Sequence, residues 1–173
     1  YPSRKQIVKF DHQFSLCREL YNSLLGRCQE EYKRSVTSIN RRDELCRIIK
    51  EIKDEEPRFN VVFSQSLQNV ADRLAKAYQH FFRRVKEREA GKRVKVGFPR
   101  FKRRVTSITY PQLGFRFKTE DRLHVSKIGS IPIVLHRVPR GRIKTLTIKQ
   151  NRAGQWFACF ACEIDEVAGT SAD

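Results

Sequence analysis

Cys159 and Cys162 stand two residues apart, the spacing at which paired thiols grip a metal or cycle through a disulfide. The run that carries them, Trp156 to Ile164, has the pattern of a strand, and residues i and i+3 of a strand face opposite ways. Their thiols would diverge, and no second Cys or His pair completes a zinc site. They read as two small residues of an apolar strand. His12, His80, His124 and His136 are scattered, without the H-x-x-x-H or H-E-x-x-H spacing of a metal site. His80, beside Phe81 and Phe82, is most simply a helix-face residue. G-x-S-x-G, the phosphate-binding P-loop and G-x-G-x-x-G are all missing from the sequence. Asp54-Glu55-Glu56 and the group Glu163, Asp165 and Glu166 offer the hard oxygens that Mg²⁺ takes. The first trio, however, is the polar end of a helix before Pro57, and the second falls in a C-terminal tail. The sequence is therefore expected to hold no catalytic residue set and no metal site of its own.

The chemistry it does offer is that of nucleic-acid contact. Ser64-Gln-Ser-Leu-Gln-Asn69 opens an amphipathic pattern with amides and hydroxyls, and Gln and Asn are the side chains that pair bidentately with adenine in the major groove. An ordinary solvent-facing first turn has the same pattern. Tyr110, Phe115 and Phe117 lie among Arg116 and Lys118, which suits stacking or backbone contact with single strands. For the two phenylalanines, core packing at alternate strand positions is the reading preferred. The strongest signal is KRVKVGFPRFKRR, residues 92–104, in which cations flank Gly97-Phe98-Pro99-Arg100-Phe101. Gly97 and Pro99 would fix the chain's path, and Phe98 and Phe101 would anchor it in apolar surface.

These groups need elements to hold them. Ser3 and Gln6 form a capping-box pattern, after which Ile7, Phe10, Phe14, Cys17, Tyr21, Leu24, Cys28 and Tyr32 recur at steps of three and four, one face of a helix. A break near Asp11-His12 is compatible with this pattern. A second helix is expected over about 40–54, with Leu45, Ile48, Ile49 and Ile52 inward and Pro57 ending it. A third, capped by Ser64, carries Leu67, Val70, Ala71, Leu74, Ala77, Tyr78, Phe81, Phe82 and Val85 to a C-terminal cap at Gly91. Beyond Gly91 the period changes to two. Strands are expected over 107–110, 115–117, 123–125, 131–135, 143–149 and 156–164, with Asn151–Gly154 turning the last hairpin. The fold class predicted is α+β: an N-terminal helical lobe over 1–91, a basic connector over 92–104 and a small antiparallel β-rich domain, sheet or partly closed barrel, over 105–166. Residues 167–173 would begin a linker.

The chain has 36 basic and 19 acidic residues among 173, a formal net charge of +17. The excess is concentrated between Arg83 and Arg104, so that stretch should draw a polyanion, nucleic acid being the commonest. A basic membrane-surface helix does not fit a block interrupted by Gly and Pro. No run is long and apolar enough for a membrane span. The five cysteines, an odd number at irregular spacing, point to a reduced intracellular protein. The first residue, Tyr1, the lack of any methionine and the ending AGTSAD lead us to expect a piece of a longer protein.

Six stretches in order, YPSRKQ at the start, CRELYNSLL at 17–25, SQSLQNVADRLAKAYQHFFR at 64–83, GFPRFKRR at 97–104, DRLHVSKIGSIPIVLHR at 121–137 and IKTLTIKQNRAGQWFACFACE at 143–163, resemble the TnpB (OrfB-type) proteins of bacterial and archaeal insertion sequences. These are relatives of type V CRISPR effectors and were long catalogued as transposases. The resemblance implies a recognition lobe, catalogued as a helix-turn-helix region, with a β-barrel wedge domain. It further implies an RNA-guided DNA endonuclease whose RuvC-type core, with its catalytic carboxylates and Mg²⁺, is not among these residues, nor is the C-terminal zinc ribbon. A first strand before YPSRKQ is missing as well. Carried over by position, Ser64, Gln68, Asn69 and Tyr110 would read a short target-adjacent motif in double-stranded DNA. Arg83, Arg84, Lys95, Arg100, Lys102, Arg103 and Arg104 would lie along the guide RNA or its heteroduplex. The implied location is the prokaryotic cytoplasm, nucleoid-associated when bound to DNA. Two other readings remain open: a stand-alone DNA-binding domain (repressor or transposon-end binder), and a basic assembly protein of a ribonucleoprotein.

Overall fold

The computed structural model describes residues 1–36 and 38–164. The chain divides into two compact units, Phe10–Val105 and a second made of Tyr1–Lys9 with the chain from Thr106 onward.

Helix α1 spans Arg4–Ser35. Its capping box forms: the Ser3 N–H donates to Gln6 Oε1 at 2.9 Å and the Gln6 N–H to Ser3 Oγ at 3.4 Å. The helix runs without interruption through Asp11-His12, since neither residue removes a backbone donor. Phe10, Phe14, Cys17, Tyr21, Leu24 and Cys28 are buried, as their spacing requires. Leu16, Leu20 and Leu25 are buried too, so the apolar face is wider than one stripe. Gln13, 2% exposed, is accommodated because its Nε2 donates to the Val61 carbonyl at 2.9 Å. Tyr32, at the far end of the stripe, is exposed.

Helix α2, Arg42–Glu55, buries Leu45, Ile49 and Ile52, while Ile48 is half-buried. Pro57 opens a single 3-10 turn, Pro57–Val61, which plugs Phe59 into the core and leads into α3, Ser64–Glu89. The expected Ser64 cap is not made. Phe63, extended at φ −62° and ψ 128°, takes the cap position, and its carbonyl accepts the N–H groups of Ser66 and Leu67. Ser64 is already helical, so its hydroxyl cannot reach back to the first turn; it accepts from Lys53 Nζ at 3.2 Å instead. Leu67, Val70, Ala71, Leu74, Ala75 and Tyr78 form the buried face of α3.

Among its described residues the second unit holds six strands in two three-stranded antiparallel sheets. β1 (Ser107–Pro111), β5 (Arg142–Gln150) and β6 (Trp156–Glu163) form one, in the order β1-β5-β6. β2 (Phe115–Thr119), β3 (Arg122–Val125) and β4 (Gly129–Pro132) form the other. β4 begins and ends earlier than the expected 131–135, because Lys127 at φ 66° turns the chain before Gly129. Register aligns Ile108 with Ile148, Tyr110 with Leu146 and Leu146 with Phe160 along the inner face of the first sheet. Phe115 and Phe117 of β2 pack on Phe160 with ring centroids 6.2 and 5.4 Å apart, the core role preferred for them. Asn151 turns the last hairpin, its Oδ1 accepting from the Gln155 N–H at 2.9 Å. Gly141, at φ +76°, lies so close to the Glu163 carbonyl that an added Cβ would come within 2.2 Å of its oxygen. Only glycine fits there.

Candidate nucleic-acid interface

The polar residues at the start of α3 differ in how free they are. Gln68 is exposed and has no hydrogen-bond partner among the described residues. Asn69 Oδ1 accepts from Arg73 Nε at 3.1 Å, one turn on. Ser64 holds Lys53, and Asp72 is paired with Arg42. A bidentate contact to adenine needs a free acceptor and a free donor on one amide. In this arrangement Gln68 offers both, whereas the acceptor of Asn69 is already engaged.

Arg83 and Arg84 lie 15 residues beyond Gln68 or more, roughly 22 Å along the helix axis. The two groups of predicted contact residues on α3 are therefore set at opposite ends of it. Both arginines are exposed; Arg83 Nε is 3.8 Å from Glu87. At the end of α3 the Gly91 N–H donates to the Arg88 carbonyl and the Lys92 N–H to that of Glu87, each at 3.0 Å, with Gly91 at φ +82°. This is a Schellman cap, which turns the chain back and needs glycine in the left-handed position.

Past this cap the chain runs as a strap. No helix or strand forms between Lys92 and Thr106, yet the segment is tied down at several points within the helical unit. Phe98 meets the rings of Tyr78 and Phe81 edge-on, at 5.5 and 5.2 Å. Pro99 is buried. The Lys95 carbonyl accepts from Arg84 Nη1 at 3.5 Å. The firmest tie is Asn22 on α1: its Nδ2 donates to the Lys102 carbonyl at 3.0 Å while its Oδ1 accepts from the Lys102 N–H at 2.8 Å. One side-chain amide thus grips the backbone as a neighbouring strand would. The Lys102 ammonium in turn sits over the Tyr21 ring, 4.7 Å from its centroid.

Two expectations change here. Both phenylalanines are exposed, Phe98 at 44% and Phe101 at 55%, but Phe98 meets two rings and anchors the strap, whereas Phe101 meets none among the described residues. Lys102, read as a phosphate contact, is drawn onto Tyr21. Asn22 carries no signal in the sequence as a strap-holder, because its partner lies 80 residues away.

Arg100, Arg103 and Arg104 are exposed and make no ion pair among the described residues, and Lys95 is likewise exposed. Elsewhere in the same unit arginines close on carboxylates. Arg27 reaches Glu55 at 2.9 Å and Glu51 at 3.3 Å, and Arg58 reaches Glu19 and Glu56 at 2.7 Å each.

Tyr110 is placed differently. It is 0% exposed, on the inner face of β1, so its side chain is packed in the core of the second unit, away from the surface a duplex could reach. That unit carries an open cleft of about 620 Å³ lined mainly by apolar groups, among them Pro2, Ile131, Leu135, Trp156 and Phe160. None of the predicted contact residues lines it.

All five cysteines are free, and on β6 Cys159 is exposed while Cys162 is half-buried, on opposite sides of the strand. Burial pushes the Cys17 thiol up to about 12 and that of Cys28 up to about 11, so both are neutral. Among the described residues no group of three or more His, Cys, Asp or Glu side chains could hold a metal ion. The acidic group at Asp165 and Glu166 and the linker expected over 167–173 lie outside the described residues. No described helix is long and apolar enough to cross a membrane.

No curated protein matches the chain. Residues 1–36, nearly all of them in α1, match the family model described as a helix-turn-helix domain, that of the IS605 OrfB proteins, so the N-terminal region is similar to the N-terminal region of that family.

Proposed function

We propose that the chain is the nucleic-acid-binding recognition region of an OrfB-type protein, and within that family the part of an RNA-guided DNA endonuclease that holds guide RNA and reads a target-adjacent motif. The observation that carries the reading is the strap: Arg100, Arg103 and Arg104, exposed and unpaired among the described residues, on a segment whose path is fixed by Asn22, Phe98 and Pro99. A fixed row of unpaired guanidinium groups suits phosphate far better than the carboxylate-paired arginines around it. The strap, with Arg83, Arg84 and Lys95, would follow the RNA backbone. Ser64, Gln68 and Asn69, at the other end of α3, would approach the DNA duplex, with Gln68 making the base contact. Cleavage, with Mg²⁺, is assigned to a RuvC-type core outside these 173 residues, and the setting is the prokaryotic cytoplasm and nucleoid.

Filter-binding of the chain to its element's own guide RNA and to unrelated RNA of equal length tests this. Clear preference for the guide is expected, and equal binding sinks the idea. Gln68→Ala should change motif preference while leaving RNA affinity as it was.

The match of residues 1–36 to a helix-turn-helix family supports a second reading, a stand-alone DNA-binding domain. It requires sequence-specific gel shifts by RNase-treated protein, which the first reading does not.

A further inference from the structure

Phe101 is a large aromatic side chain held where it packs against no other ring. It is 55% exposed, without a ring contact among the described residues, although its neighbours on the strap are anchored on both sides. On one side Phe98 is seated edge-on against Tyr78 and Phe81 and Pro99 is buried; on the other, the Lys102 backbone is clasped by Asn22 and its ammonium rests on Tyr21. Lys102 places its ammonium on Tyr21, while Phe101 and Arg103 on either side of it stay exposed. Isolated exposed apolar residues are ordinary. This one is flanked by Arg100, Arg103 and Arg104, all exposed and none ion-paired among the described residues. A flat aromatic face bordered by unpaired guanidinium groups is the arrangement that takes an unpaired base on the ring and its phosphates on the cations.

We propose that Phe101 is a stacking platform for one unpaired nucleobase, with Arg100, Arg103 and Arg104 holding the flanking phosphates and Lys102 serving as a tether to Tyr21. The ligand class is single-stranded nucleic acid. The proposal rests on the reading that the strap binds nucleic acid, and it adds a base contact and a preference for unpaired over paired strands. Every base has a π-face, so the platform tolerates any sequence.

The test is fluorescence anisotropy of the whole 173-residue chain with labelled oligo(U), oligo(dT) and a blunt DNA duplex, each at two salt concentrations. Phe101→Ala should weaken binding of the single strands roughly 5- to 150-fold, leave duplex binding unchanged and keep the salt slope, because no charge is lost. Phe101→Trp should restore the affinity. A 2-aminopurine placed in the oligonucleotide should be quenched by the wild-type chain and not by Phe101→Ala. Loss in the oligo(U) arm alone assigns the platform to RNA, and loss in both arms to single strands of either kind. Equal loss on duplex and single strands, or no loss on single strands, overturns the proposal. If the wild-type chain binds none of the three, the strap does not bind nucleic acid and the reading beneath the proposal fails with it.

Discussion

Two sets of arginines in one helical unit serve opposite ends. Arg27, Arg42 and Arg58 tie helices and turns together through Glu51, Glu55, Asp72, Glu19 and Glu56. Arg100, Arg103 and Arg104 have no carboxylate partner among the described residues, although their backbone is held in place by the Asn22 clasp. Residue type is the same, and apart from half-buried Arg27 the members of both sets are exposed. What separates them is whether the fold supplies a counter-charge. The first set lowers the unit's self-repulsion; the second concentrates it in a short segment, a cost that makes sense where an external polyanion removes it.

Reversing the charge of the strap is the strongest way to test that contrast. R100E, R103E and R104E together should weaken RNA or DNA binding on the order of 100-fold at low salt and flatten the slope of log K against log salt by about 2 to 3 units. Thermal melting should show the fold intact. Neutralising Arg27, Arg42 and Arg58 to Gln should leave that slope nearly unchanged; an equal loss of affinity would erase the distinction drawn between the sets.

The strap's placement can be challenged without touching its charge. Asn22→Ala removes both hydrogen bonds to Lys102 and should cost about 3- to 10-fold in affinity. Tryptic cleavage at Arg100, Lys102, Arg103 and Arg104 should become faster in the same variant. Unchanged cleavage would mean that Phe98 and Pro99 hold the segment alone.

The paired set predicts a smaller effect, on stability. Asp72→Asn should cost less than about 1 kcal/mol in urea denaturation, since its partner Arg42 is more than half exposed. Nucleic-acid affinity should stay the same or rise slightly as an acidic group is lost.

The smallest expected effect lies in the second unit. His124 is held below its ordinary 6.5 by burial and then by Arg116 and Lys118, and its Nδ1 is buried without a hydrogen-bond partner. The unfolded chain takes up this proton more readily than the folded one, so stability falls as pH drops below about 6.5. Denaturation at about pH 7.5 and about pH 5.5 should show a smaller difference for His124→Gln than for the wild type.

The sequence made some of this legible and hid the rest, for physical reasons. Among the described residues periodicity found the three α-helices and the six strands, though neither short 3-10 turn, because each is a local pattern with punctuation: Ser3 and Gln6, Pro57, Gly91, Asn151. It misjudged Ser64, since a capping serine and a first-turn serine differ only in the backbone angles of the preceding residue, Phe63. The basic strap was visible as charge, and its two phenylalanines looked alike. What separates Phe98 from Phe101 is contact with Tyr78 and Phe81 and the clasp from Asn22, and these are tertiary facts. Tyr110 looked like a surface aromatic among cations; pairing with β5 turned it inward, opposite Leu146.

The Asn22 clasp has a consequence for how this surface can change over time. It grips the N–H and C=O of residue 102 and none of its side-chain atoms. The side chains at 100, 101, 103 and 104 can therefore be exchanged while the path of the segment is kept. At position 102 the clasp itself needs only the backbone N–H and C=O, which leaves proline as the one replacement the clasp forbids. A fixed frame with interchangeable teeth lets a lineage retune what it holds without having to refold what does the holding.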